Sequence, residues 1–349
     1  MDDILQVCRT LFDSFEEEGV RYCHWKSNEH LRDGLTGATD LDILIDREQT
    51  AEVRRSLLDS GYRRFQSATF ATHPAMETYL GFDHETGQLV HIHLHYRLVL
   101  GQNRVKGYRI PWEDEILDRR RIDEETKVYT ADPEVEFLLL LLRYSLKIRF
   151  RDYILKMAGK QHFNTHAVDE YNWLVERADT DEVVRLAEQL LTEDTSRTVE
   201  EILGAENKNT PSIRQLRRIK KGASEVLKLH EIYSPTEAKV RGLVRDSKRV
   251  ARKVNRILDY PRMSRRKAPH GGSMIVFLGA DGSGKSTLTT EIEDWLSWKI
   301  DVQSVYFGSG DGHVSLLRRP MVPLRKLFSG DTADTVDGGA NKERENSTR

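Results

Sequence analysis

Cysteine is nearly absent from this chain. Only Cys8 and Cys23 occur among 349 residues. They form no spacing motif, so neither a disulfide framework nor a thiolate metal site is legible, and this fits a reducing cytosol. Long apolar runs are also missing. The longest, Phe137 to Leu142, is far too short to span a bilayer. The acidic start Met1-Asp2-Asp3 lacks the basic region that opens a signal peptide. No internal repeat is visible. Large net charge is absent too: Lys and Arg nearly balance Asp and Glu, leaving −2. The expectation is a polar cytoplasmic protein with no membrane span, long enough for two or three domains.

What is present is concentrated in two places. The first lies late in the chain, at Met274 to Leu296, MIVFLGADGSGKSTLTTEIEDWL. Gly279 is followed after four residues by Gly284-Lys285-Ser286, the spacing of a phosphate-binding loop. The apolar run Met274 to Leu278 predicts a buried parallel strand before it. Leu288, Ile292, Trp295 and Leu296 predict a helix after it. Gly279, Gly282 and Gly284 let successive N–H groups approach an anion without a Cβ between them, at the positive end of that helix. Ser283, Lys285, Ser286 and Thr287 complete the set expected to hold ATP. Lys285 is assigned to the β- and γ-phosphates, Ser286 to Mg²⁺, and Thr287 to an outer contact.

Asp281 is unusual in a loop built for anions. The string Gly279-Ala280-Asp281-Gly282-Ser283-Gly284-Lys285-Ser286-Thr287 resembles the loop of thymidylate kinases. That resemblance implies that Asp281 faces the sugar of an acceptor nucleotide. It implies a nucleoside-monophosphate kinase or a relative of one. The alternative for Asp281 is a turn residue accepting a local N–H.

The second place is near the amino end. Ile4, Leu5, Cys8, Leu11, Phe12 and Phe15 form one stripe of an opening helix. Then come a strand at 20–25, a short helix at 28–35, and the strand Thr39-Asp40-Leu41-Asp42-Ile43-Leu44-Ile45-Asp46. Asp40 and Asp42, two apart, leave the same strand face. Two adjacent carboxylates raise each other's pKa unless a cation joins them, and a divalent metal is the economical reason to keep both. The stretch is similar to the nucleotidyltransferase superfamily. The resemblance implies that Ser27 helps bind a triphosphate and that Asp40 and Asp42 hold metals. Lys26-Ser27 stands where that family has Gly-Gly or Gly-Ser. His93, on the predicted strand Leu89 to Tyr96, stands where its third acid belongs. An imidazole there favours a softer ion such as Mn²⁺ or Zn²⁺. His91, His93 and His95 share one face, either as metal ligands or as a hydrogen-bonded polar face.

Between the two places, Asp132-Pro133-Glu134 reads as a helix start with Asp as N-cap, and helical patterns continue to residue 205. Arg143, Lys147, Arg149 and Arg151 either reach a phosphate in the cleft or solvate helix ends. Residues 212–267 hold eighteen Lys or Arg against five Asp or Glu. Two basic helices broken near Ser234-Pro235 are expected. They serve as a linker, or touch nucleic acid or an anionic membrane surface through phosphates, without interleaved aromatics for base stacking. Asp301 to Phe307 predicts a second strand of the phosphate-loop domain, and Asp311 after it is a further acceptor-side or Mg²⁺-shell candidate.

The expected fold class is a multidomain α/β protein. Residues 1–130 form a nucleotidyltransferase-like α+β sheet domain and 131–210 a helical domain. Residues 211–272 form a basic helical linker, and 273–349 a partial thymidylate-kinase-like domain with a parallel sheet. The carboxyl end lacks the strands, acid and lid arginines of a full kinase, so either the chain is a fragment of a longer protein or its kinase half is inactive; the first is the expectation. Three functions follow. The leading one is an ATP- and Mg²⁺-dependent phosphotransferase acting on a nucleotide or other small acceptor. The second is metal-dependent nucleotidyl transfer by Asp40 and Asp42. The third is a nucleotide-gated module that binds nucleic acid or a partner.

Overall fold

The computed structural model describes residues 3–66, 75–102, 105–148, 165–205, 210–234, 236–244, 246–247, 272–280, 282–300, 302 and 304. Asp281, Arg149, Arg151, Asp311 and most of 301–307 lie outside the described residues, and so do 248–267.

The amino half follows the hydrophobic pattern closely. α1 (Gln6–Glu17) buries Cys8, Leu11, Phe12 and Phe15. β1 (Tyr22–His24) leads through a 3₁₀ turn at Asn28–His30 into α2 (Leu31–Leu35) and β2 (Asp40–Ile45). After α3 (Thr50–Asp59) come β3 (Arg63–Phe65), β4 (Met76–Phe82) and β5 (Leu89–His95). β6 (Leu98–Leu100) and β7 (Tyr108–Ile110) make a separate small ribbon. α4 (Glu113–Asp118), β8 (Arg121–Ile122) and β9 (Tyr129–Thr130) complete this half.

The seven-stranded sheet runs β3-β4-β5-β2-β1-β9-β8. It is mixed: β2 pairs with β5 and β1 with β9 in parallel, while the remaining neighbours are antiparallel. Odd residues of β2, Leu41 and Ile43, point into a core shared with Phe15, Val53, Ile92 and Leu94. On the opposite face, Leu44 joins a second core with Trp25 and the helical half. Because side chains alternate along a strand, Asp40 and Asp42 share the face of Leu44, toward the helices.

α5 (Pro133–Lys147) is the axis of that helical half, buried on nearly every side. Its start corrects one expectation. Asp132 precedes Pro133 as expected, but its side chain caps no helix N–H. Asp132 instead pairs with Arg119 and Arg121, each at 2.9 Å. A guanidinium is the stronger partner for a buried carboxylate than one more amide. Helices at Thr165–Arg177, Thr180–Leu190 and Ile213–Val226 pack on α5, and the helix Glu193–Leu203 packs on the last two of these. The Ile213–Val226 helix opens with a capping box at Ser212 and Gln215. Its Ile219 and Ala223 lie in the same core as α5, so the first basic helix packs into the helical unit rather than bridging as a free linker. Past it, residues 236–244 are helical with Val240, Leu243 and Val244 exposed.

The phosphate-loop region departs from the reading in one respect. The Lys285–Ser297 helix forms where the spacing places it. Met274–Leu278 forms no strand, and Met274 and Leu278 are 82% and 89% exposed. A parallel strand needs a neighbour to satisfy its backbone groups and bury its side chains, and none is present among the described residues. No helix among them is long and apolar enough to cross a membrane.

Candidate functional site

The parallel register of β2 and β5 sets Asp40 opposite His91, Asp42 opposite His93 and Leu44 opposite His95. Period-two alternation on both strands then puts two carboxylates and three imidazoles on one patch. His91 Nδ1 lies 2.5 Å from Asp40 Oδ1. His93 Nδ1 is 3.4 Å, and His95 Nε2 3.1 Å, from Asp42 Oδ1. The His91 and His93 rings meet edge to face with centroids 4.3 Å apart. Donor atoms of Asp40, His91 and His93 all fall within 4.8 Å of one another. Of the residues expected as metal ligands, Asp40 and His93 belong to this cluster and Asp42 does not, while His91 does.

Each aspartate also carries a lysine. Lys26 Nζ is 2.6 Å from Asp42 Oδ2, and Lys299 Nζ is 2.5 Å from Asp40 Oδ1. Burial by itself would raise both carboxyl pKa values. For Asp40 it is outweighed by His91, His93 and Lys299, and for Asp42 by Lys26, His93 and His95, so both stay ionised well below the usual range. Burial pushes His95 down to about 4. Neutral at pH 7, it holds its proton on Nε2 and donates it to the Asp42 carboxylate, an acceptor only. The Trp25 ring packs edge-on at 5.3 Å and fixes the imidazole plane.

Cations crowd the Asp42 side. Lys26, Lys106, Arg143 and Lys147 lie close enough to act on one another's charge. Burial first, then Lys26 and Arg143, hold Lys106 down at about 8. Burial first, then Arg143, Lys106 and Lys26, hold Lys147 down at about 7. Of the two readings open for Arg143 and Lys147, the cleft reading matches this placement; Arg143 is 9% exposed and cannot be solvating a helix end. Lys106 and Lys299 had no signal in the sequence, because neither sits in a motif.

Ser27 takes a left-handed backbone, φ 55°, and its hydroxyl donates to Glu170 Oε1 at 3.3 Å. Glu170 also accepts from Arg143 Nη1 at 2.6 Å. Glu136 accepts from Asn28 N and Nδ2 at 3.1 and 2.6 Å. Asn28 Oδ1 in turn meets His24 Nδ1 at 2.6 Å. This buried network ties the turn after β1 to α5 and to the Thr165–Arg177 helix. Burial first, then Glu170, raises Glu136 to about 8 and Glu29 to about 7.

In the Gly279–Thr287 segment, Gly282 and Gly284 adopt φ of 79° and 81°, a region glycine enters freely. Lys285 Nζ donates to Gly279 O at 2.7 Å and Ala280 O at 2.5 Å. A Cβ on Gly279 would stand 2.7 Å from Ser283 Oγ, which would have to turn away, and in ordinary contact with Lys285 Cδ at 3.7 Å. Ser283, Ser286 and Thr287 are exposed.

No family model matches the chain, and no curated protein matches it. Among solved structures, it is similar to a chain described as the crystal structure of JHP933 from Helicobacter pylori. The identity is 12%, over 64% of this chain and 90% of that one, and the TM-score of 0.26 is too low to indicate a shared fold.

Proposed function

We propose that the amino-terminal half carries out metal-dependent nucleotidyl transfer from a nucleoside triphosphate, with Asp40 and Asp42 as the anionic centre. The observation that carries this reading is the β2–β5 register, which lines Asp40 and Asp42 against His91 and His93. A divalent cation fits the donor set of Asp40, His91 and His93. Mixed oxygen and nitrogen donors suit Mn²⁺ or Zn²⁺ better than Mg²⁺. When bound, such an ion supplies Lewis-acid charge to phosphoryl oxygens.

The chain's own residues supply the rest. Lys26, Lys106, Arg143 and Lys147 bind the phosphate tail, whose charge favours the protonated form of the two depressed lysines, Lys147 above all. His95 positions Asp42 through its Nε2–H. Ser27 and Arg143 hold Glu170, which fixes the turn that presents Lys26. Walls from Trp25 and α5 keep the local dielectric low, so each of these charges acts strongly.

A second reading, ATP and Mg²⁺ binding at Gly279–Thr287 for phosphoryl transfer to a nucleotide or small acceptor, is supported by the left-handed Gly282 and Gly284 and the fold-back of Lys285. Triphosphate labelled at the α- or γ-phosphate separates the two. Under the first, the full chain with Mn²⁺ moves the α-label and releases pyrophosphate, and Asp42→Asn stops it. Under the second, only the γ-label moves, and Lys285→Ala stops it. Movement of neither label overturns both.

A further inference from the structure

A second cluster of acids lies apart from the aspartates of β2. Glu29 comes from the 3₁₀ turn Asn28–His30, Glu136 from α5, and Glu170 from the Thr165–Arg177 helix. One oxygen from each lies within 4.8 Å of the other two. Glu136 and Glu170 are 0% and 3% exposed, and the Glu29 side chain 8%. Glu29 Oε2 is buried without a hydrogen-bond partner. Its other oxygen stands 3.7 Å from His30 Nε2.

The charges do not balance. Among the described residues, three carboxylates face one buried guanidinium, that of Arg143, which is engaged with Glu170, while Lys147 acts on Glu170 without an ion-pair contact. Asn28 supplies two neutral donors to Glu136, which orient that carboxylate without neutralising it. An uncompensated buried carboxylate costs several kcal/mol, so the excess must be met by a cation or by protons. The unpartnered Glu29 oxygen marks the side on which the compensating charge is missing. The donors are all oxygens, contributed by three elements, and those of Glu136 and Glu170 are held by preformed hydrogen bonds. That is the chemistry of a hard divalent cation.

We propose that Glu29, Glu136 and Glu170 form a structural site for a hard divalent cation such as Ca²⁺, Mg²⁺ or Mn²⁺, which clamps the turn after β1 to the helical half. The site is separate from the imidazole-bearing patch and does not depend on the function assigned to that patch. The cation joins the segment that carries Lys26 and Ser27 to α5, so it also sets how firmly Lys26 is presented to Asp42.

The test is calorimetric titration of the full, chelator-stripped chain with CaCl₂, an ion that oxygen donors accept and imidazoles disfavour, alongside thermal melts with and without chelator. The expected result is one saturable equivalent and a raised Tm. That equivalent should persist in Asp40→Asn and lose at least the roughly 10–100-fold in affinity that even outer-shell changes cost in Glu29→Gln. Glu29→Asp, which keeps the charge and shortens its reach, should bind more weakly than the native chain and more tightly than Glu29→Gln, and guards against a folding defect in the latter. No saturable equivalent with Ca²⁺, Mg²⁺ or Mn²⁺ at millimolar concentration, or a Tm blind to chelator, overturns the proposal in favour of protons. An equivalent lost in Asp40→Asn and kept in Glu29→Gln overturns it as well, since the ion would then belong to the β2–β5 patch.

Discussion

Lys299 places its ammonium 2.5 Å from Asp40 Oδ1, across 259 positions of sequence. The lysine follows the Lys285–Ser297 helix, so two distant parts of the chain meet at one carboxylate. An ammonium there competes with any metal for the same oxygen. Lys299→Ala is expected to tighten Mn²⁺ binding at Asp40 by about tenfold, the effect of roughly 1.4 kcal/mol of like-charge repulsion. Calorimetry with MnCl₂ measures it, and an unchanged affinity would show that the lysine does not compete.

Asp42 is held by Lys26 on one oxygen and by His95 on the other. Asp42→Asn keeps the shape and removes the charge. Transfer of an α-phosphate label should fall roughly 100-fold, comparable to the upper end of what loss of a supporting metal contact costs. His95→Gln retains an N–H donor toward Asp42 and should lose much less. Equal losses in the two variants would mean that the imidazole does more than position the carboxylate.

Lys147 gives a pH signature. Burial and the neighbouring cations depress it from 10.5 to about 7. A lysine depressed on folding binds fewer protons in the native state, so stability rises with pH between about 7 and 10.5 and the cost is fully present below that window. Lys147→Met should therefore melt higher than the native chain at pH 7, with the difference shrinking as pH approaches 10. Inorganic pyrophosphate should raise the Tm of the native chain more than that of the variant, which keeps Lys26, Lys106 and Arg143. Melting curves of native and variant protein at three pH values check both statements. A gap that widens toward pH 10 would rule out the buried-lysine account.

Glu77 anchors β4. It accepts from Arg54 at 2.6 Å, Tyr79 at 2.9 Å and Tyr96 at 2.5 Å, and pairs with Arg64 at 3.0 Å. The arginines are half exposed, so a full buried-pair value does not apply. Glu77→Ala should cost about 2–3 kcal/mol, chiefly from two tyrosine hydroxyls left without an acceptor. Burial raises the Glu77 pKa, but Arg54, Tyr96 and Tyr79 outweigh it and the carboxyl ends below its ordinary value of 4.5. Its contribution is thus present above about pH 4.5 and lost as pH falls through the native value. Urea titration at pH 7 and pH 4 reads out both effects; a larger penalty at pH 4 than at pH 7 would contradict them.

The sheet face of the candidate site was legible because its determinants are periodic. Asp40-x-Asp42 and His91-x-His93-x-His95 declare their own faces by spacing alone, and Leu41, Ile43, Ile92 and Leu94 declare the buried side. What sequence could not supply was which strand lies beside which. The parallel pairing of β2 with β5 follows from the tertiary closure of a mixed sheet, and only that closure brings His91 to Asp40. The same limit hid Lys106, Lys299 and the acids of the helical half. Glu136 sits in an apolar helix as one more charge, and nothing local says that Glu29 and Glu170 will face it. At the carboxyl end the glycine spacing anticipated the turn and the helix. Met274–Leu278 needed a pairing partner as well as a pattern, so the strand did not form where the apolar run placed it.

Asp42 and His95 come from strands 53 positions apart, joined through α3, β3 and β4. No early hairpin contains both, since β4 pairs with β5 while β2 arrives from across a crossover. The patch of aspartates and histidines therefore assembles only when the central sheet closes, a non-local event that pays loop entropy before it gains contacts. A Mn²⁺-dependent signal from Asp40 and His91 would then report completion of folding rather than any intermediate step.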